Sequence, residues 1–506
     1  MNIIDALLNK VTMYKLVVCE LIFLLCAAAL LGGVGALPYN PLFLLFSAVF
    51  IFSVSFVFNK VFAFMFDVPS NPESTWITAL ILILIITPPS SWVDMQYLAL
   101  AFWAGAWASA SKYIFAIGKK HVFNPAAIGV AITSLVLGLS ASWWVGTPAM
   151  VPFVLVGGLL LVRKIHRFDL WWAFMGVFTV GSLYFALSRN GGVLHALSQS
   201  LLYAPAFFFA TVMLTEPMTT PPTRVLRMLY GGIIAFLFLP DIGFGSFYFT
   251  PELALLAGNI VAYIVSPKYK RILTLVRTEA LSPDVYEFAF APDGPLRFKA
   301  GQYLEWTLAH KGADSRGIRR FFTVASSPSQ SELRLGVKFY EPSSTFKKAL
   351  LRMKEGDTMV ASQLSGDFTL PSNVNKKLVF IAGGIGSTPF ASMIQYQLDL
   401  KQRRPITLLY ANKTPEDAVY AGIFNRAAQE IGLKVVYAFN GPNVQLPSGA
   451  VSVLNGRTIQ EQVPDYLERT FYISGPQGMV NSYKNLLLKM GVSRFKIKTD
   501  YFPGFA

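Results

Sequence analysis

Three short runs toward the C-terminal end carry residue types that could hold charged, flat-ringed cofactors. Arg320-Phe321-Phe322-Thr323 puts a guanidinium, aromatic rings and a hydroxyl into one tetrapeptide. A guanidinium can pair with a pyrophosphate, a flat ring can cover an isoalloxazine, and a hydroxyl can bond near its N5. A Phe-rich strand is more often plain core, so this run is weak by itself. Leu378-Val379-Phe380-Ile381-Ala382 then leads into Gly383-Gly384-Ile385-Gly386-Ser387-Thr388-Pro389. An apolar strand that turns through glycines into a helix start aims backbone amides at a pyrophosphate. Glycine is required because a side chain would block the phosphates. The spacing is not the Gly-x-Gly-x-x-Gly of the dinucleotide fingerprint. The third run, Phe471-Tyr472-Ile473-Ser474, ends in Gly475-Pro476-Gln477-Gly478-Met479. Small residues there leave room for a nicotinamide ring against a flavin.

These runs need two kinds of element to position them. Val285-Tyr286-Glu287-Phe288-Ala289-Phe290 alternates at period 2, as do later short runs bounded by Gly, Pro and Ser, which predicts an antiparallel β-barrel over 268–371. From 372 to 506 strands alternate with helical stretches, which predicts an α/β domain with a parallel sheet.

The rest of the chain is of another kind. Of 506 residues, 54% are hydrophobic and 14% charged, against about 25% charged in a soluble domain. The deficit falls on residues 1–267, which predicts a polytopic α-helical membrane domain. Apolar runs give about ten candidate spans, near 14–37, 41–66, 74–88, 95–117, 122–143, 147–163, 170–188, 200–215, 225–240 and 247–266. With that count Lys10, Lys15, Lys60, Lys112, Lys119, Lys120, Arg163, Lys164, Arg167, Arg224, Arg227, Lys268, Lys270 and Arg271 share one side, and Arg189 alone takes the other. The asymmetry predicts a cytoplasmic location for both termini and for the soluble half. It also accounts for the net charge of +15 without a nucleic-acid partner, which would call for a clustered basic face. Cys19 and Cys26 are too few for a disulfide framework or a four-cysteine cluster, and no metal set is expected. The first apolar run lacks a cleavage site and is expected to be retained.

Two polar stretches interrupt the apolar half. The first is Ser111-Lys112-Tyr113, then Gly118-Lys119-Lys120-His121-Val122-Phe123-Asn124-Pro125-Ala126-Ala127. Asn caps and Pro takes the first turn of a helix whose free amides favour an anion such as a flavin phosphate. The second runs from Thr211 to Thr223 and includes Thr215-Glu216-Pro217-Met218-Thr219-Thr220. Irregular backbone at membrane depth is tolerated only where protein or a cavity satisfies it. The bland alternative is a pair of capped loops at the membrane rim. Glu20, inside the first apolar run, is a candidate intramembrane carboxylate; its place near one end favours a residue that snorkels to the rim.

Two resemblances follow. The soluble half is similar to the ferredoxin–NADP reductase superfamily across 270–506. The runs at Arg320, Gly383 and Gly475, about 60 and then 90 residues apart, are more specific in that order than any one alone. Arg320, Phe322 and Thr323 match its Arg-x-Tyr-Ser/Thr flavin motif, with Phe for Tyr. Ser343, Ser344 and Thr345 match its flavin-phosphate loop loosely. Gly383, Gly384, Gly386, Ser387, Thr388 and Pro389, with Gly475, Pro476 and Met479, match its pyridine-nucleotide motifs. Asp500-Tyr501-Phe502-Pro503-Gly504-Phe505 looks like its aromatic tail, with Phe502 on the flavin. The resemblance implies FAD, NADH or NADPH, and hydride transfer past Phe322 and Thr323. The apolar half, over roughly 40–266, resembles the family of flavin-carrying membrane proteins shared by the Na⁺-translocating NADH:quinone oxidoreductase and the Rnf complex. The matching runs are Ser111–Tyr113, His121–Ala127, Phe209–Thr211 and Thr215–Pro217, with Glu216 where the family has Asp. That resemblance implies a second flavin, FMN or riboflavin, held by Asn124, Thr211, Thr215, Glu216, Thr219 and Thr220. The family's covalent-flavin site is absent, so this flavin is expected to be non-covalent.

Together these readings imply a membrane-bound NAD(P)H:acceptor oxidoreductase of the bacterial cytoplasmic membrane. Electrons leave toward a quinone or an extracytoplasmic flavoprotein or other redox acceptor, in a complex or oligomer if partners require it. One alternative is a haem-relay reductase, which needs paired histidines; the four histidines, His121, His166, His195 and His310, are expected in loops or the soluble half. A redox-driven Na⁺ or H⁺ pump and a mere anchor are the others.

Overall fold

In a computed structural model the chain forms two compact units, Val11–Tyr269 and Lys270–Ala506, the second also taking in Met1–Lys10. The structure describes residues 3–9, 11–67, 72–117, 120–189, 192–245, 247–266, 270–314, 316–441 and 444–502. The change of composition at 267 thus falls close to the boundary between the units, but the first ten residues go with the C-terminal one.

Every apolar run expected as a span contains a helix. They are α1 Met13–Gly33, α2 Pro41–Met65, α3 Pro72–Ile85, α4 Met95–Ile114, α5 Pro125–Leu137, α6 Val151–Lys164, α7 Phe168–Ser188, α8 Val193–Leu202 with the short α9 Ala206–Phe208, α10 Arg224–Phe238 and α11 Pro251–Val265. Among the described residues, only Met13–Gly33, Pro41–Met65 and Phe168–Ser188 are long and apolar enough to cross a membrane alone; the bent pair Val193–Leu202 and Ala206–Met213 adds a fourth if it is one span. α3 and α5 stop short of a full span. The last carbonyls of α3 are used inside the unit and accept from Trp143 N (2.9 Å), Trp144 Nε1 (2.9 Å) and Val145 N (3.3 Å), so backbone polarity is satisfied by protein. The helices form two consecutive sets with the same order of parts. α4 leads through the strand pair Ala116–Ile117 and Lys120–His121 to Asn124-capped, Pro-started α5. α10 leads through Gly243–Phe244 and Phe247–Tyr248 to Thr250-capped, Pro-started α11. The repeat extends to packing: α2 lies on α4 as α7 lies on α10, and the like members α1 and α6, and α5 and α11, meet each other.

The C-terminal unit has two lobes. Strands β1 Arg271–Ser282, β2 Val285–Pro292, β3 Tyr303–Thr307, β4 Arg319–Thr323, β5 Leu333–Lys338 and β6 Thr358–Ser365 form one antiparallel sheet in the order β4-β3-β6-β1-β2-β5. The expected barrel is therefore an open ladder, with β4 and β5 at its edges; the chain leaving β4 touches β5 through Ala325 N donating to Arg334 O (2.8 Å). Alternation buries Leu273, Leu275, Phe288, Phe290, Trp306 and Phe322 with Phe346 on one face, each large side chain stabilising by about 1.5–3 kcal/mol.

The second lobe is a parallel sheet of β7 Leu378–Gly383, β8 Ile406–Asn412, β9 Lys434–Phe439, β10 Thr470–Pro476 and β11 Ile497–Phe502, in the order β9-β8-β7-β10-β11. Both faces of β7 are covered, which is why it reads as an unbroken apolar run. Phe380 and Ala382 pack with Phe390, Ile394 and Phe424, while Val379 and Ile381 pack with Ile459, Val480 and Leu487. Chain order reverses between β7 and β10, and ligands of such sheets bind beyond the strand ends at that switch. The lobes are tied by Ser392 Oγ donating to Ser326 O (2.7 Å) and Tyr472 OH donating to Thr369 O (2.8 Å).

Candidate functional site

Arg320 lies in the edge strand β4 of the antiparallel sheet and is buried, at 6% exposed. One of its terminal nitrogens donates to Arg316 O (2.8 Å), Gly317 O (3.1 Å) and Arg319 O (2.7 Å), and its Cζ sits 5.1 Å over the Phe346 ring. Nε and the other terminal nitrogen make no hydrogen bond, and the latter faces Asp314 Oδ1 at 3.7 Å. Burial pushes the guanidinium down to about 10. Idle buried donors on a cation leave a place for an anion. Lys347 is buried beside it; its Nζ donates to Lys338 O (2.8 Å) and lies 5.1 Å from the Tyr340 ring. Burial, with Arg316 and Arg320 acting in the same direction, lowers the Lys347 ammonium to about 8. The residues therefore fit a pyrophosphate such as that of FAD.

The hydroxyls of this region do other work than the sequence suggests. Ser343 Oγ donates to Tyr340 O (2.6 Å), and Ser344 Oγ caps Lys347 N (3.3 Å). Thr345 Oγ1 accepts from Asp314 N (2.9 Å) and meets His310 Nε2 (3.1 Å), while Thr345 N donates to Asp314 Oδ2 (3.1 Å). Burial opposes it, but bonds from Thr345 and Arg316 hold the Asp314 carboxyl at about 2. The Ser343–Thr345 loop is thus built by its hydroxyls rather than offering them, and Lys347, Asp314 and His310, which no motif marks, complete it. Strand alternation puts Phe322 in the core against Phe346, at 6.1 Å between centroids, and leaves Phe321 as the exposed ring, edge-on to Tyr303 at 5.9 Å. Phe322 therefore packs the sheet instead of presenting its ring. Thr323 is buried, paired across the ladder with Tyr303.

The glycine turn follows β7. Gly384 has φ +52 and open space where a Cβ would be; only glycine takes this conformation without strain. Gly386 is different: a Cβ there would come within 2.5 Å of Gly475 Cα and of Ser474 O. Its absence lets the turns after β7 and β10 touch, so the requirement for glycine at 386 is packing, not phosphate room. A Cβ at Gly383 would overlap Met479 Sδ. The Tyr410 hydroxyl bonds Ser387 Oγ (3.0 Å), and Thr388 Oγ1 donates to Ile385 O (2.7 Å), so both hydroxyls brace the turn. Pro389 starts the helix Thr388–Asp399. Ser474, fully buried at the end of β10, has an Oγ with no hydrogen-bond partner; it sits beside Gly475 and Pro476, and a lone serine carries no motif signal that would single it out. Phe502 is in register with Pro476; the tail beyond it, Pro503–Phe505, lies outside the described residues.

In the N-terminal unit the two polar motifs meet. Asn124 Nδ2 donates to Glu216 Oε2 (2.8 Å), its Oδ1 caps Ala127 N (3.0 Å), and its N donates to Asn259 Oδ1 (2.8 Å). Glu216 also accepts from Thr219 Oγ1 (3.2 Å) and lies 3.5 Å from His121 Nε2. Asn259 Nδ2 donates to Tyr230 OH (3.1 Å). Glu216 thus engages the side chain of the cap residue Asn124, whose own Oδ1 takes the Ala127 amide at this helix start. Thr211 Oγ1 donates to Phe207 O (2.7 Å), Thr215 Oγ1 to Thr211 O (2.7 Å) and Thr220 Oγ1 to Pro217 O (3.4 Å). These are back-bonds around the π-helical turn Phe209–Met213. His195 lies in α8, not in a loop, and Gly118 and Lys119 lie outside the described residues.

Two expected results follow from the phosphate end. Arg320→Ala lowers FAD affinity by about 10- to 150-fold, the loss of a charge-assisted bond of roughly 1.5–3 kcal/mol; equilibrium titration of the apoprotein measures it, and unchanged affinity removes Arg320 as the phosphate ligand. The pH dependence has a defined sign. An anion favours charged Lys347, so binding raises its pKa from about 8. Below that pH the ammonium is already charged and affinity is level. Above it binding must take up a proton, and FAD affinity falls by up to about tenfold per pH unit. Lys347→Met should flatten that slope.

Residues 380–485 match the family model described as the oxidoreductase NAD-binding domain. The flavohemoprotein of Pseudomonas putida is 30% identical over 238 residues, 46% of this chain and 59% of that protein. NADH-cytochrome b5 reductase 1 of Emericella nidulans is 25% identical over 219 residues, 42% of this chain and 70% of that protein. Among solved structures, the flavohem-like FAD/NAD-binding domain of nitric oxide dioxygenase from Vibrio cholerae gives a TM-score of 0.40 at 19% identity, covering 46% of this chain and 98% of that one. The chain spans less than two thirds of the length of the flavohemoproteins it matches. The C-terminal half is thus similar to the reductase portion of these flavoprotein oxidoreductases, with an oxidoreductase NAD-binding domain at residues 380–485.

Proposed function

We propose that this protein is a membrane-bound NAD(P)H:acceptor oxidoreductase that passes electrons from FAD in its C-terminal half to a second, non-covalent flavin in its N-terminal half. From there electrons go to a quinone or to an extracytoplasmic flavoprotein or similar redox protein. The helical unit lies in the bacterial cytoplasmic membrane with both termini and the reductase module on the cytoplasmic side, alone or in a complex. The observation that carries this reading is the partly buried Asn124–Glu216 contact (2.8 Å), which joins two polar motifs inside an apolar helical unit fused to a reductase module. An anchor has no use for such a cluster, because burying a carboxylate is costly unless it is bonded. The second flavin is FMN or riboflavin.

Bound FAD supplies a hydride-accepting ring that releases electrons singly. The chain's residues do the rest. Arg320 and Lys347 hold the pyrophosphate, and Thr323 offers a hydroxyl to the ring. The Gly384 turn, open where a Cβ would be, leaves room for the nucleotide. Flavin extraction with and without denaturant, followed by chromatography, tests the reading. FAD together with FMN or riboflavin, both released without covalent cleavage, is expected; FAD alone overturns the second-carrier step.

A further inference from the structure

The glycine turn after β7 and the Ser343–Lys347 segment belong to different lobes, yet both rest on strand β5. Lys347 Nζ donates to Lys338 O (2.8 Å) at the end of that strand. Two residues earlier, about 6.5 Å along it, Gly336 receives the nucleotide lobe. A Cβ there would overlap the Tyr420 hydroxyl, and Ile385 Cδ1 of the glycine turn lies 3.5 Å from the same Cβ position. Tyr420 precedes the helix Ala421–Ile431 and holds φ at +64, a left-handed conformation that a bulky side chain seldom takes. Its hydroxyl is buried without a hydrogen bond of good geometry; Glu287, in register with Gly336 across the ladder, is the carboxylate that faces it. Backbone strain and an unbonded buried hydroxyl are both unfavourable, so the packing of the two lobes must hold the ring there. Tyr410 links the contacts: its hydroxyl lies 3.2 Å from Gly384 O and 3.0 Å from the carbonyl of Val419, the residue before Tyr420. A displaced Tyr420 therefore displaces the glycine turn.

We propose that Tyr420 is a positioning residue for hydride transfer: its hydroxyl, seated on Gly336, sets the distance between the glycine turn and the strand that supports Lys347. This rests on the reductase step proposed above, and Tyr420 acts on that step through the glycine turn. The test uses the full chain. Tyr420→Phe removes one oxygen and leaves a gap over Gly336. It should slow FAD reduction at saturating NADH or NADPH, whichever reduces the wild type, by about tenfold, a shift smaller than the 1 Å that can cost about 100-fold. KM and FAD content should stay within about twofold. In the chain without FAD or nucleotide, deuterium exchange of the amides at 384–387 should be at least about threefold faster than in the wild type. Adding Gly336→Ala to Tyr420→Phe puts a methyl where the hydroxyl was, and should return both rate and exchange to within about twofold of the wild type. A wild-type reduction rate in Tyr420→Phe overturns the proposal. So does a loss that the methyl leaves unrestored, the result of a hydroxyl that acts only on the Glu287 charge. If the double variant fails to fold, exchange in Tyr420→Phe alone decides, and an unchanged turn overturns the proposal. A wild type whose FAD neither NADH nor NADPH reduces defeats the reductase reading itself; equal reduction in wild type and Tyr420→Phe defeats only the role of Tyr420.

Discussion

Gly386→Val abolishes NAD(P)H oxidation while FAD stays bound. The new Cβ meets Gly475 Cα and Ser474 O at 2.5 Å and Gly475 N at 2.6 Å. All three are backbone or carbonyl atoms that no rotamer change can move aside, so the turns after β7 and β10 must part. Overpacking of this kind costs about 1–3 kcal/mol or more, and a displacement of about 1 Å at a reacting centre can cost about 100-fold in rate. Turnover with a soluble dye should fall at least that far. FAD content should hold, since Arg320 and Lys347 belong to the other lobe. Gly384→Ala is the contrast: its methyl meets nothing within 4 Å, but the φ of +52 costs about 1–2 kcal/mol. Normal dye turnover in Gly386→Val would remove this crevice as the nucleotide site.

Asn124→Leu should separate the two halves functionally. It deletes the donor to Glu216 at 2.8 Å and the cap on Ala127 at 3.0 Å, leaving a carboxylate with Thr219 and His121. Losing that hydrogen bond costs about 0.5–1.5 kcal/mol and losing the cap about 0.5–2 kcal/mol. Dye reduction by NAD(P)H should stay near the wild-type rate, because the reductase lobes have their own cores. Electron arrival beyond FAD should drop about 100-fold, and extraction should recover FAD without the second flavin. A variant that keeps both flavins and both kinetic phases would make the polar motifs plain helix caps.

Much of the reductase module was legible because its determinants are local. A strand covered on both faces must be apolar throughout, so 378–382 announced itself, and the glycines that follow mark a turn whatever lies around it. The same holds for Asn124: a cap followed by Pro declares a helix start, and Oδ1 does cap Ala127. The helices of the apolar half were equally readable, since length and hydropathy are properties of a segment.

What each determinant serves was decided in three dimensions. The sequence could not say that Glu216, 92 positions away, would accept from the Asn124 side chain, nor that a Cβ at Gly386 would meet Gly475. It placed Glu20 at a rim; packing against Gly157 buried it. It suggested a closed barrel, but period-2 alternation fixes only which side of a strand is apolar, and ladder order left β4 and β5 at the edges. It marked the Ser343–Thr345 hydroxyls as ligands, while Asp314 and His310 engage Thr345 first. Periodicity and turn chemistry act over a few residues and survive in any single stretch of chain. Partnership between side chains depends on which distant segments the core brings together, and no local pattern encodes that.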